Sequence, residues 1–514
     1  MTRENPSTDA DQADDLINAA HKAFILAAAV SPAQRATWLD AIAEALNAGA
    51  DDLVDIGTRE THLSKARLDG ELARTTFQLR LFIDQLTRGE NLDVTIDHAD
   101  DAWGMGPRPD IRRVNVPLGV VGVFGASNFP FAFSVIGGDS ASALAAGCAV
   151  VHKIHDGHRE LALRTGDIVT AALAQAGAPA GLFSVVTGRT AAHVLVDHPR
   201  VKAIGFTGST IGGRALLDRV ALRAEPIPFY GELGSINPVV VTEQAWAVRP
   251  DTIIKEFVAS FTAGMGQFCT KPGVLFAPIT DPEALRATLT RHLAEQTFTP
   301  LLTPTLRQGF AEALAWVTAL PGVDVLIAGD DGQNPTPTVL LTTATAVRRT
   351  PELLSHEIFG PATVIVQYSP GTDLAALVGL MSGQLTTTVQ AEPREQLSDL
   401  VATLTALSGR IVWNGWPTGV TVTYAQNHGG PYPATTASRT TSVGTAAVAR
   451  FMRPAAYQSF PPGQLPPALQ DTNPWGIVRR INGRLESPDT VRENARLHRI
   501  PFTMSYRPTR RPRS

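Results

Sequence analysis

Along the first part of the chain, apolar residues recur every three or four positions. Leu16, Ala20 and Phe24, with alanines between them, predict an amphipathic helix. Ser31-Pro32-Ala33-Gln34 has the form of a capping box with proline in the first turn. Trp38, Leu39, Ile42 and Leu46 supply one apolar face, and Gly49 suits the end of that helix. Leu72, Leu79, Ile83 and Leu86 predict a further helix. A polar segment containing Gly and Pro, 97–116, then reads as an extended arm or hairpin. From there the pattern alternates. Short apolar runs at 118–124, 149–153, 183–187 and 201–207 predict strands, and 131–146, 160–176, 193–198 and 210–222 predict helices between them. A second alternating block has strands at 238–242, 274–278, 323–327, 338–341, 362–368, 386–390 and 410–414. Residues 418–441, rich in Gly, Pro, Thr and Tyr, read as a long loop over a site. The fold class implied is α/β, with parallel sheets covered by helices, an architecture that binds dinucleotides but assigns no reaction by itself.

A length of 514 residues exceeds a single core, so two or three domains are expected. The apolar share of 44% and charged share of 18% are those of a globular chain. A net charge of −4 gives the body of the protein no reason to bind nucleic acid. The uncharged stretch 114–138 is broken by Pro117, Asn128, Pro130 and glycines, so it reads as strand, loop and helix and not as a membrane span. Two distant cysteines make no disulfide framework, and the N-terminal residues lack a signal-peptide core; the expected location is the cytoplasm. Residues 1–10 are expected to fray, and the arginine-rich stretch from Arg479 to the end reads as a solvated, partly disordered tail.

The candidate chemistry centres on Gly264-Met265-Gly266-Gln267-Phe268-Cys269-Thr270-Lys271-Pro272-Gly273. A thiol in such a loop is either a buried bystander or a nucleophile. Cys148, between a small-residue helix and an apolar strand, is the inert comparison. Asn128 stands where the first sheet strand ends, and its amide could order a turn or hold an oxyanion. Lys153 and Asp156 follow the second strand, in position either to be solvated or to meet ribose hydroxyls. Gly208, Ser209 and Gly213 open a helix after another strand, where small residues let backbone N–H groups approach a pyrophosphate. Glu232 lies at the boundary of the two blocks, where a carboxylate could activate water. No metal site is expected.

These landmarks, in order and with suitable spacing, resemble the aldehyde dehydrogenase superfamily from about Asp11 to Arg484. They are Ser127-Asn128-Phe129-Pro130, Lys153, Phe206-Thr207-Gly208-Ser209, Glu232-Leu233-Gly234, Gly266-Gln267-Phe268-Cys269 and Glu357-Ile358-Phe359-Gly360-Pro361. Within it, Gly138-Asp139, Ser235-Ile236-Asn237-Pro238, His428-Gly429-Gly430-Pro431-Tyr432-Pro433 and the run from Arg450 to Gln458 are similar to the branch acting on 2-oxoglutarate semialdehyde (2,5-dioxopentanoate).

The resemblance implies NAD(P)+-dependent oxidation of a carboxylate-bearing semialdehyde, 2,5-dioxopentanoate to 2-oxoglutarate. Cys269 would attack the aldehyde, Asn128 and the Cys269 N–H would hold the oxyanion, and after hydride transfer Glu232 would activate water to hydrolyse the thioester. Lys153 would bind the adenosine ribose, Ser209 the pyrophosphate and Glu357 the nicotinamide ribose, with Phe359 beside it. Asp156 favours a ribose hydroxyl and Arg189 a 2′-phosphate, so NAD and NADP both stay open. Lys271 stands where a neutral side chain is expected and reads as a solvated lysine, or as an attractor of an acidic aldehyde. The implied division is a Rossmann-type cofactor domain (1–96 and 117–232), a catalytic domain (233–445), a small bridging β element (97–116 and 446–485) and a basic flexible tail (486–514). The implied assembly is a homo-oligomer, dimer or tetramer. The rivals are a broad-range aldehyde dehydrogenase and a non-catalytic cofactor-binding protein that keeps the fold.

Overall fold

The computed structural model describes residues 7–486. The basic tail expected from 486 onward therefore lies outside the described residues except for its first residue, as do the first six of the ten expected to fray. Four helices come first, Ala10–Ala27, Pro32–Ala48, Ala50–Thr61 and Lys65–Arg88. Ser31 caps the second by accepting from the Gln34 N–H. The third was hidden from periodicity because it starts at the glycine that ends the second.

The strands, in chain order, are β1 Thr95–Asp97, β2 Ile111–Pro117, β3 Val120–Phe124, β4 Ala149–Lys153, β5 Phe183–Val186, β6 Val201–Thr207, β7 Phe229–Glu232, β8 Val239–Val241, β9 Val274–Pro278, β10 Asp324–Ile327, β11 Thr338–Thr343, β12 Ala362–Tyr368, β13 Gln384–Gln390, β14 Ser408–Trp413, β15 Met452–Gln458, β16 Arg479–Ile481 and β17 Arg484–Glu486. They form three sheets, and the chain divides into two compact units.

The larger unit comprises Met1–Ile83 and Val116–Arg453 and holds two of the sheets. The first has the order β5-β4-β3-β6-β7, all parallel. Strand order reverses between β3 and β6, so the loops leaving these two strands part and open a crevice at their carboxyl ends. Asn128 lies in the loop after β3, and Gly208 and Ser209 lie in the loop after β6. The second sheet has the order β10-β11-β12-β9-β8-β13-β14, parallel except for β10. Its side chains alternate between two cores. Val240, Phe276, Leu340, Val364 and Val389 face one, and Val239, Leu275, Val339 and Ile365 face the other. Burial on both faces is why these strands read as continuous apolar runs.

The smaller unit comprises Asp84–Asn115 and the chain from Pro454 onward, and its sheet has the order β15-β2-β1-β16-β17. Arg479, read from the sequence as the start of a solvated tail, is instead buried in β16 and pairs with Glu486 at 2.7 Å. No helix among the described residues is long and apolar enough to cross a membrane.

Two buried charges organise the larger unit. Asp139, at the start of helix Gly138–Ala146, accepts from Arg450 at 2.7 Å, and its other oxygen lies against Gly205 of β6. Lys271 corrects both readings made from the sequence. Its ammonium is neither solvated nor free for a substrate: the residue is 2% exposed and donates to the carbonyls of Ile358, Gly360 (3.3 Å) and Ala362 (2.8 Å). It thus ties the Cys269 loop to the start of β12. Replacing it with methionine takes the ammonium from all three carbonyls, of which Gly360 keeps the Ala362 N–H at 2.8 Å. Lys271→Met is expected to cost about 2–4 kcal/mol in urea unfolding, because each hydrogen bond to a charged donor carries roughly 1.5–3 kcal/mol. A loss within the noise of a surface substitution would refute this placement.

Candidate active site

Glu232 is the last residue of β7, an edge strand four residues long that the sequence reading passed over. Periodicity could not find it, because Gly231 interrupts the run and Pro226 and Pro228 precede it. Segment 434–436 lies alongside, with Leu233 N–H donating to Ala434 and Thr436 N–H to Gly231. Cys269 comes from the other sheet's side of the crevice. Its loop follows helix Pro250–Thr262 through Gly264, Met265 and Gly266, all at positive φ. Gly266 has no alternative, since a β-carbon there would stand 2.1 Å from the Gly360 carbonyl oxygen.

Asn237 fixes where the thiol sits. It is fully buried in the left-handed region at φ +54°, and its Nδ2 donates to the carbonyls of Cys269 (2.8 Å) and Lys271 (3.0 Å). Gln384 Oε1 in turn accepts from the N–H groups of Ile236 and Asn237. Two residues from β7 to β8 and two from the cysteine loop are thereby held in one hydrogen-bonded knot.

The thiol and the carboxylate converge on His428. Cys269 Sγ lies 3.6 Å from His428 Nε2, and the same nitrogen lies 3.0 Å from Glu232 Oε1. Ser442 Oγ donates to Glu232 Oε2 at 2.7 Å. His428 and Ser442 were not singled out for chemistry from the sequence. His428 was quoted only within a motif, and both belong to irregular segments where no periodicity marks a facing side chain.

Burial works to raise the Glu232 pKa, but His428 and the hydrogen bonds from His428, Ser442 and Cys269 outweigh it and hold the carboxyl below its ordinary value. Cys269 is pushed the other way. Burial first, then the negative charges of Glu232 and Glu357, hold the thiol well above its usual range. The site at rest is therefore a carboxylate beside a protonated thiol.

Asn128 is half-buried and its Nδ2 donates to the Gln267 carbonyl at 2.9 Å, two residues before the cysteine. That bond uses one of its two N–H groups. Among the described residues no protein acceptor takes the Cys269 backbone N–H. Each of the two donors expected for an oxyanion thus keeps an N–H without a protein acceptor among the described residues. Phe129 and Phe268, the neighbours of Asn128 and Cys269, pack edge to face with centroids 5.1 Å apart.

The residues read from the sequence as dinucleotide-binding are placed by several elements. Ser209 caps helix Thr210–Ala221 by accepting from Gly212 N–H, and Gly208 N–H donates to the Glu232 carbonyl. A β-carbon on Gly213 would meet Leu233 at 2.2 Å, so glycine lets this helix lie close to β7. Lys153 ends β4, with its ammonium 3.6 Å from Asp156, which also faces Arg159 at 3.7 Å. Arg189 is exposed at the start of helix Gly188–Asp197, after the neighbouring β5. Glu357 reaches Gly234 so closely that a β-carbon there would stand 2.5 Å from its Oε2. Burial pushes Glu357 up to about 7, against the opposing pull of Lys271. Phe359 is half-buried two residues on. The switch-point crevice, the capped helix N-terminus and the close-packed Gly213 suit a dinucleotide.

A model of the Aldehyde dehydrogenase family matches residues 2–440. Alpha-ketoglutaric semialdehyde dehydrogenase 2 of Azospirillum brasilense is 43% identical over 462 residues, 88% of this chain and 88% of that protein. Alpha-ketoglutaric semialdehyde dehydrogenase of Acinetobacter baylyi is 39% identical over 489 residues, 92% of this chain and 91% of that protein. Aldehyde dehydrogenase C of Pseudomonas syringae, solved with NAD+ and octanal, has the same fold: TM-score 0.73 at 19% identity, over 89% of this chain and 91% of that one. By the matched span and by the first two of these relatives, the chain belongs to the aldehyde dehydrogenase family.

Proposed function

We propose that this chain oxidises α-ketoglutaric semialdehyde, 2,5-dioxopentanoate, to 2-oxoglutarate with NAD(P)+. The observation that carries the reading is the convergence of the Cys269 thiol and the Glu232 carboxylate on His428, with Asn128 bonded to Gln267 two residues before the cysteine. The two semialdehyde dehydrogenases at 43% and 39% identity support the substrate.

Cys269 is the nucleophile in this reading. Its proton passes to Glu232, directly or through His428 Nε2, and the thiolate sulfur bonds to the aldehyde carbon. The second Asn128 N–H and the Cys269 N–H hold the oxyanion of the thiohemiacetal. NAD(P)+, when bound in the crevice, supplies the hydride acceptor. Ser209 and the helix it caps would receive the pyrophosphate, Gly208 and Gly213 would give it room, Lys153 would meet the adenosine ribose, and Glu357, with Phe359, would meet the nicotinamide ribose. Asp156 and Arg189 offer opposite charges at the ends of neighbouring strands, so the reading takes either dinucleotide. Once Glu232 has released the Cys269 proton to solvent, it draws a proton from water, whose oxygen bonds to the thioester carbon and displaces the Cys269 thiolate. Among the described residues β15 stands at the end of its sheet, and this supports the reading of a homo-oligomer, dimer or tetramer, joined through that strand.

An acidic aldehyde also needs a cation, and helix Lys65–Arg88 supplies one. Arg67 lies 4.4 Å over Phe129 and 4.8 Å over Phe268, and pairs with buried Glu71 at 3.3 Å. Arg74, seven residues on, lies 5.5 Å over Phe133, and only its Nε is committed, to the Val420 carbonyl at 3.3 Å. Glu71 balances one of the two arginines, which leaves one positive charge in surplus. Arg74 feels both Cys269 and Glu232 and is partly buried. Its remaining N–H groups suit the carboxylate at the far end of a five-carbon semialdehyde.

Three measurements test this reading. Cys269→Ala is expected to lose all turnover, whereas Glu232→Gln keeps one burst of reduced cofactor per chain and loses at least about 100-fold in steady-state rate; turnover by Cys269→Ala would overturn the mechanism. Arg74→Gln should raise KM for 2,5-dioxopentanoate about 10- to 100-fold while moving kcat/KM for pentanal only a few-fold, since one charged hydrogen bond carries roughly 1.5–3 kcal/mol. Equal losses on both aldehydes would remove Arg74 from substrate recognition. Glu357 is a carboxylate only above about pH 7. The cofactor KM should therefore rise about three- to tenfold as pH falls from 8 to 6, and Glu357→Gln should flatten that dependence. An unchanged pH dependence in the variant would show that Glu357 does not bind the ribose.

A further inference from the structure

We propose that Cys269, Glu232 and His428 form a three-ligand site for a borderline-soft divalent cation, Zn2+ in the first place, which binds reversibly and closes the nucleophile. The donor set is one thiolate, one imidazole and one carboxylate, the three ligand types zinc prefers. No other group of this kind with three such residues occurs among the described residues.

The geometry fits a tetrahedral ion. Zinc bonds of about 2.3 Å to sulfur and about 2.0–2.2 Å to nitrogen and oxygen place sulfur and nitrogen about 3.6 Å apart across a tetrahedral edge, and nitrogen and oxygen about 3.4 Å. The observed separations are 3.6 Å for Cys269 Sγ to His428 Nε2 and 3.0 Å for His428 Nε2 to Glu232 Oε1, and all three ligand atoms lie within 4.8 Å of one another. The hydrogen-bonded His428–Glu232 pair has to open by a few tenths of an ångström. The fourth corner is left for water, and Cys269 is partly exposed, which gives the ion a way in.

The surroundings set how tightly it binds. Ser442 Oγ already orients Glu232 through Oε2 and leaves Oε1 to the ion. Asn237 holds the cysteine backbone in place whether or not a metal is bound. His428 is less well supported. When Nε2 gives its lone pair to the ion, the ring proton moves to Nδ1, which is buried with no partner. A ligating histidine ordinarily donates that proton to an acceptor, and its absence costs affinity. The site is therefore a weak, reversible inhibitory one and not a structural zinc centre. Charge balances: Zn2+ displaces the Cys269 thiol proton to solvent, and the sulfur–zinc bond replaces the sulfur–hydrogen bond with no change in oxidation state.

Blocking of turnover rests on Cys269 being the nucleophile; binding does not. The test uses chelator-treated enzyme titrated with ZnCl2, with calorimetry for binding and initial rates in parallel. One equivalent per chain, loss of dehydrogenase activity and full recovery with EDTA are expected. Cys269→Ala, Glu232→Gln, His428→Ala and His428→Gln, each confirmed to melt cooperatively, should bind Zn2+ at least about tenfold more weakly, a readout that needs no activity. Co2+ should give a thiolate-to-metal charge-transfer band that Cys269→Ala lacks. Undiminished binding by both His428 variants would reduce the site to a lone thiol and overturn the proposal, as would undiminished binding by Cys269→Ala. One equivalent bound with rates unchanged would overturn the closing of the nucleophile, and would set this failure apart from that of the catalytic reading, which Cys269→Ala turnover decides.

Discussion

Asn237 is the constraint on which the site depends. A base at the end of one sheet has to meet a thiol on a loop beyond another, and few residues separate β7 from β8. The chain solves this with one buried side chain whose amide reaches Ser235, Cys269 and Lys271 at once, and whose oxygen accepts from Ser235 Oγ and Thr386 N–H. Its left-handed backbone is tolerated because asparagine is among the side chains least penalised there. Lys271 extends the same knot to the Ile358–Ala362 carbonyls. The separation of Glu232 from Cys269 is thus set by backbone that cannot relax independently, which is what positioning two reacting groups requires.

What the sequence made legible divides along physical lines. Strands buried on both faces were readable because burial imposes uninterrupted apolar runs: β4, β6, β9 and β12 have the bounds their sequence pattern implies. The short edge strand β7 was not, because half its pairing is to segment 434–436, far along the chain. Cys269 and Asn128 stand in glycine-bracketed loops at strand ends, where chemistry is visible in local sequence. His428 and Ser442 meet Glu232 across about two hundred residues of chain, and local pattern carries no trace of that. Lys271 failed for a related reason. A lysine is read as solvated by default, and only the fold reveals three carbonyls converging on one point.

The electrostatics of the site follow from low solvation and not from any one ion pair. Glu232 and Glu357 both lie close enough to oppose ionisation of Cys269, and the same burial that raises the thiol raises Glu357. Glu232 escapes because His428, Ser442 and the Cys269 thiol are built against it. The resting protein therefore stores its negative charge on the base and not on the nucleophile, which protects a partly exposed thiol from oxidation, since the thiolate is the reactive form.

The same arrangement exacts something from the second half of the reaction. A carboxylate that accepts from two protein donors is a weaker base than one facing water alone, and general-base efficiency falls with basicity. Ser442 and His428 do not release Glu232 equally. Ser442 is itself held, since its N–H donates to the His428 carbonyl at 2.9 Å. His428 Nε2 is shared between two acceptors, and its hold on Glu232 loosens whenever its proton turns toward sulfur. Once Cys269 is acylated its sulfur no longer carries a proton or a full charge, and the competition for Nε2 changes. Oε1 is then the oxygen most easily freed to take a proton from water. In the proposed reaction, the asymmetry between the two donors would assign the base to one oxygen of Glu232, and it would make His428 the side chain that couples the state of the sulfur to the strength of the base.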